Sequence, residues 1–168
     1  KDFPEMVRNT YGLDGAEYWS IAFTGRENDK NFLEELKQKT NDNEITNTII
    51  LVDDINLQTF EGGPSLASLS ETERDMAIEF HKKWVDIAAE ITCHSIRVNL
   101  RSEDGTPEEV YKVSIESLSK LIEYSSKSNI SIVIENHGGL TADAKWVTSL
   151  IKNIDSEFIG SLPDFGDH

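Results

Sequence analysis

The sequence predicts an α/β fold with about five parallel strands, and three patterns predict it. Short β-rich runs alternate with longer stretches of helical spacing, as βαβ units around a parallel sheet require. Two of the runs, Ile49-Ile50-Leu51-Val52-Asp53 and Ile132-Val133-Ile134-Glu135-Asn136, are almost continuously apolar and end in acids or amides, as strands buried on both faces do. The order, a helix and then five strands with four helices between them, has no reversal. That suits either a barrel or a doubly wound open sheet.

The elements follow in order. Phe3 to Thr10 reads as a helix, with Pro4 near its first turn and Gly12 past its end. Ala16 to Ala22 is the first strand, Asn31 to Thr40 a helix, and Thr48 to Asp53 the second strand. One long loop follows, Asn56 to Leu69 with Gly62-Gly63-Pro64, and its length suggests a functional cover. Ser70 to Ile91 is the best-defined helix: Ser70 and Glu73 have capping-box spacing, and Met76, Ala77, Phe80, Trp84, Ile87 and Ala88 form an apolar stripe. His94 to Leu100 is the third strand. Thr106-Pro107-Glu108-Glu109 opens a helix with a cap, an early proline and acids at its positive end, and it runs to about Ser126. Ile130 to Asn136 is the fourth strand, Thr141 to Ile154 a helix with Ala144, Trp146, Val147, Leu150 and Ile151 on one face, and Phe158 to Asp164 the fifth strand. With no repeat, low-complexity tract or linker, residues 1–168 read as a single domain.

Composition excludes more than it identifies. Sixteen Lys and Arg against 31 Asp and Glu give a net charge of −15, which repels phosphate backbones and anionic lipid, so no nucleic-acid or membrane partner is expected. The same charge also serves simply to keep a protein soluble. Cys93 is the only cysteine, which rules out an intrachain disulfide or a cysteine-rich zinc module, and its apolar neighbours suggest a buried, inert thiol. No apolar run nears the roughly 18 residues of a membrane span. Lys1-Asp2-Phe3-Pro4 lacks the apolar core of a signal peptide. The cytoplasm is the expected address, with the periplasm open if a leader was removed.

In parallel α/β folds ligands bind at the carboxyl ends of the strands, and here those ends are polar. They carry Asp53-Asp54, Arg97-Val98-Asn99-Leu100-Arg101, Glu135-Asn136-His137 and Pro163-Asp164, followed by Asp167-His168. Side chains two apart share a face, so Ile96, Val98 and Leu100 face the helices while Ser95, Arg97 and Asn99 point inward, at a cost unless water, a ligand or a metal satisfies them. The same parity groups Ser131, Val133 and Glu135, and Gly160, Leu162 and Asp164, so Glu135 and Asp164 converge from adjacent strands. Two such carboxylates repel unless one is protonated or a cation sits between them. Oxygen ligands favour Mg or Mn, and added imidazole extends the choice to Co or Zn. Either acid alone also suits a helix cap.

Three stretches, Cys-His-Ser-Ile-Arg-Val-Asn at 93–99, Val-Ile-Glu-Asn-His-Gly-Gly at 133–139 and Gly-Ser-Leu-Pro-Asp-Phe-Gly at 160–166, resemble bacterial sugar phosphate isomerases/epimerases of the xylose-isomerase-like barrel superfamily. His81 to Asp86 is similar to that family too. The resemblance implies a TIM-type (β/α) barrel whose metal is held by Glu, Asp, His and Glu on strands five to eight. Glu135 matches the first ligand and Asp164 the second, so the strands seen here are two to six and the barrel is incomplete. The expectation is a fragment, inactive alone, whose open sheet edges leave room for a homo-oligomer. The implied chemistry belongs to carbohydrate metabolism: a divalent metal (Mn, Mg or Co, with Zn an option) and Glu135 act in proton transfer next to the carbonyl of a sugar or sugar derivative. The resemblance assigns substrate contacts to Arg97, Asn99, His137, Glu17 and His168. The last departs from the family pattern, which has a histidine three residues after the metal Asp, where this chain has Asp167. Arg97 reads equally as an ion-pair partner of Glu17 or Asp53, His137 as a loop histidine bonded to backbone, and Trp19 as core or pocket lining. Two other readings are a non-catalytic, degenerate barrel that binds sugar, and an AP-endonuclease-like metal phosphodiesterase. The latter needs more histidines than four and a basic face.

Overall fold

The computed structural model describes residues 2–59, 61–102 and 104–166. The helices are α1 (Phe3–Asn9), α2 (Lys30–Asp42), α3 (Glu71–Glu90), α4 (Pro107–Ser125) and α5 (Ala144–Ile154). The strands are β1 (Gly15–Trp19), β2 (Thr46–Leu51), β3 (Ser95–Val98), β4 (Ser131–Glu135) and β5 (Ile159–Leu162). They form one sheet in the order β1-β2-β3-β4-β5, every neighbouring pair parallel. Helices pack around it, which is the arrangement of part of a TIM barrel.

Register sets the two faces. Leu51 lies opposite Arg97, Arg97 opposite Val133 and Val133 opposite Gly160, so these residues form one row across the sheet. The alternate residues Ile50, Val52, Ile96, Val98, Ile132 and Ile134 are buried in a core with Trp84, Leu118, Leu121 and Leu150 of the helices. Each such side chain contributes roughly 1.5–3 kcal/mol through burial. The opposite face of β1 carries Glu17, which is exposed, and Trp19, 46% exposed.

Four expectations about the elements need correcting. β1 stops at Trp19 rather than Ala22, because Ser20–Phe23 turns into a 3₁₀ helix. Buried Ser20 explains the turn: its Oγ donates to the Asp53 carbonyl at 3.1 Å and accepts from the Asp53 N–H at 2.9 Å, bending the chain toward β2. Met76 is 56% exposed, since the buried stripe of α3 runs one residue further round, through Ala77, His81, Trp84 and Ala88. At Ser70 half of the box forms: Ser70 Oγ accepts from the Glu73 N–H, but the Glu73 carboxylate bonds Ser68 Oγ. The complete capping box is at Thr106 and Glu109. Helix α5 begins at Ala144, not Thr141, and Asp143 caps it by accepting from the Lys145 N–H.

Candidate metal and substrate site

The polar strand ends meet around one guanidinium. Arg97 is 5% exposed on β3, flanked by β2 and β4, and its charge is satisfied from both sides. Nη1 donates to Asp53 Oδ1 at 2.7 Å and to the Val52 carbonyl at 3.1 Å, and Nη2 to Asp53 Oδ2 at 3.3 Å. Nε faces Glu135 Oε2 at 3.1 Å, and both atoms are buried without a hydrogen bond. Asp53 also accepts from Trp19 Nε1 at 2.6 Å and Asn99 Nδ2 at 2.9 Å. Burial alone would raise the Asp53 carboxyl, but the hydrogen bonds and charge of Arg97, with Trp19, hold it below the usual carboxylate range. Of the two alternative partners for Arg97, Asp53 is the one it takes.

Glu135 ends β4, 8% exposed, and caps no helix. Asp164 lies two residues past β5 on the adjacent strand, exposed, with its backbone N–H and carbonyl both bonded to the Asn136 side chain. Its Oδ1 accepts from the Gly166 N–H at 2.8 Å, a local turn that leaves Oδ2 for another partner. Glu17, Glu135 and Asp164 line one cleft of about 340 Å³ at the carboxyl end of the sheet, so the structure brings these three expected residues together.

A second cleft of about 280 Å³ holds Asn99 and His137 together with Asp53 and His81. The His137 ring sits with Nδ1 3.6 Å from Glu135 Oε2, while its backbone N–H donates to Thr141 Oγ1. His168 lies outside the described residues, as does Asp167. Trp19 is partly exposed and bonds Asp53, so it is not a core residue. Sequence reasoning missed three features. Asp53 as the shared acceptor and Asn136 as the clamp on Asp164 both depend on cross-strand neighbours. The third, His81, is 5% exposed; its place on the helical stripe was the available signal.

The donor chemistry suits a hard divalent cation. Asp53 and Glu135 share the Arg97 guanidinium, and Glu17 and Asp164 join Glu135 in its cleft, so this group holds more carboxylates than that guanidinium cancels. Glu135 Oε2 is buried with no hydrogen bond and is met only by the ion-pair contacts to Arg97 Nε and His137 Nδ1, so it keeps lone-pair capacity that a cation could use. Among the described residues no three His, Cys, Asp or Glu side chains are grouped so as to hold a metal ion.

A family model for the xylose isomerase-like TIM barrel matches residues 9–168. The chain belongs to this family. Solved structures similar to this family member include a D-psicose 3-epimerase in the presence of D-fructose, with 15% identity and a TM-score of 0.80, covering 98% of this chain and 58% of that one. The IOLI protein with a bound zinc atom matches with 12% identity, a TM-score of 0.73 and coverage of 95% and 56%. A family 2 AP endonuclease from Brucella melitensis matches with 12% identity, a TM-score of 0.71 and coverage of 98% and 62%. The chain thus spans about three fifths of the length of these structures, and at such identities the likeness shows the shared fold. No curated protein matches the sequence. No helix among the described residues is long and apolar enough to cross a membrane.

Proposed function

We propose that the protein is a metal-dependent isomerase or epimerase that moves a proton next to the carbonyl of a sugar or sugar derivative, with Glu135 and Asp164 holding a divalent cation. The observation that carries this reading is Glu135: its Oε2 is buried without a hydrogen bond on a strand end that shares a cleft with Asp164. The epimerase neighbour and the zinc-containing neighbour support it at the level of the family. Oxygen donors favour Mn or Mg, with Co or Zn admitted if imidazole joins them. When bound, the cation supplies Lewis acidity that polarises the carbonyl.

The side chains of this chain have distinct parts in that scheme. Glu135 takes the proton from the carbon beside the carbonyl, and its return, to the opposite face or to the neighbouring carbon, would be shared with the second glutamate of the family's ligand set. Arg97, fixed by Asp53, holds the Glu135 carboxylate in place across a 3.1 Å contact. Asn99, His137 and Glu17 meet the sugar hydroxyls. Phosphodiester cleavage of DNA, suggested by the endonuclease neighbour, is disfavoured by the net charge of −15. Calorimetric titration with Mn²⁺ tests the scheme: binding that is lost in both Glu135→Gln and Asp164→Asn is expected. Equal affinity in the wild type and the two variants would rule it out.

A further inference from the structure

The chain of ion pairs Asp53–Arg97–Glu135 runs between two clefts, since Glu135 lines the one described above and Asp53 lines the second. The second cleft is walled by the loop after β2 and by the segments after β3 and β4. Three of its side chains present hydrogen-bond acceptors that no described residue satisfies.

The first is Asn99. Its Nδ2 donates to Asp53 Oδ1 at 2.9 Å, and because a carboxylate only accepts, this bond fixes the amide orientation. Oδ1 is then left buried with no partner, at a cost of about 1–3 kcal/mol that a ligand donor would recover. The second is His81. Its Nδ1 lies 2.7 Å from the Ala77 carbonyl, which also only accepts, so Nδ1 carries the hydrogen. Burial pushes the ring's pKa down to about 4, so at neutral pH the imidazole is uncharged and Nε2 is a lone-pair acceptor. The third is Asp54, half-buried, whose carboxylate accepts no hydrogen bond among the described residues. A Cβ on Gly63 would come within 2.0 Å of Asp54 Oδ2, so the loop lies directly on this carboxylate.

An acceptor-rich wall selects a donor-rich ligand. Hydroxyl groups donate; a phosphate only accepts, and its charge opposes Asp54, since that of Asp53 is already matched by Arg97. Arg101, the guanidinium on this wall, donates to the Gly63 carbonyl at 2.9 Å, tying down the loop. Leu66, Leu100 and Leu140 add apolar surface for C–H groups.

We propose that this second cleft binds the hydroxyl-bearing end of an unphosphorylated sugar, making the substrate a free sugar or uncharged derivative rather than a sugar phosphate. This rests on the sugar-site reading above and names the substrate class for it.

Calorimetry on the whole chain with Mn²⁺ present, using D-fructose and D-fructose 6-phosphate as probes, tests it. D-fructose is expected to bind at least about tenfold more tightly, a gap of about 1.4 kcal/mol. Asp54→Asn removes the repelling charge and is expected to narrow that ratio several-fold. Asn99→Leu, checked for folding by circular dichroism, is expected to weaken D-fructose binding about tenfold. Equal or tighter binding of the phosphorylated sugar, no binding of D-fructose, or a ratio unmoved by Asp54→Asn overturns the proposal. Mn²⁺ titration without sugar separates the two readings: preference for the phosphate with Glu135-dependent Mn²⁺ binding intact defeats only the substrate class.

Discussion

Asn136 grips Asp164 by its main chain: Nδ2 donates to the Asp164 carbonyl at 2.8 Å and Oδ1 accepts from the Asp164 N–H at 2.7 Å. The residue directly after Glu135 thereby fixes where the second carboxylate stands. Removing such a support around a ligand typically costs about 10–100-fold in metal affinity. Asn136→Ala is therefore expected to weaken Mn²⁺ binding by at least about tenfold, while lowering folding stability by only about 1–2 kcal/mol for two hydrogen bonds near the surface. Calorimetry and urea denaturation on the same samples measure both.

Asp53 is the counter-charge that makes Arg97 tolerable inside the sheet. The Arg97 side chain is 6% exposed and that of Asp53 23%. Taking away Asp53 strips the Nη contacts of the guanidinium and leaves Glu135 as its remaining counter-charge, so Asp53→Ala is expected to destabilise by about 3 kcal/mol in urea denaturation. The carboxyl of Asp53 is held low in the folded state, so its contribution is complete above the ordinary carboxylate pKa of about 4 and is lost as the pH falls through the folded value. Asp53→Asn should lose that part of the acid dependence.

His81 acts over a different pH window. Burial pushes its pKa from 6.5 down to about 4, with the bond to the Ala77 carbonyl opposing the shift. Between those values the unfolded chain binds the proton and the folded chain does not, so stability falls as the pH drops from about 6.5 to about 4. The total is about 3 kcal/mol at 1.36 kcal/mol per pKa unit. His81→Asn is expected to flatten the stability profile in this window, measured as the urea midpoint against pH.

Cys93 should be silent until the core opens. It is 5% exposed, and burial pushes its thiol up to about 12, which leaves almost no thiolate at neutral pH. A thiol-specific reagent is expected to react in native buffer at least a hundredfold more slowly than in denaturant. Fast native labelling would contradict the packing around β3.

The order of strands and helices was legible in the sequence because each signal is local. Ile132 and Ile134 alternate with Val133 and Glu135 within five residues, and Thr106, Pro107 and Glu109 start a helix on their own. Parity likewise sorted Arg97 from Ile96, and Glu135 from Ile134, since period-two alternation is a property of one strand. Tertiary structure decided what those inward side chains touch. That Arg97 chooses Asp53 and Glu135, that Asn136 reaches across to Asp164, and that His81 joins Asn99 at one cleft all depend on strand register and on loops meeting at one end of the sheet. The bonds and ion pairs among them link residues 28 to 44 positions apart in the chain, where no local periodicity carries information. Glu135 and Asp164 could be named from the sequence as neighbouring acids; their separate supports, a guanidinium for one and an amide for the other, required the fold.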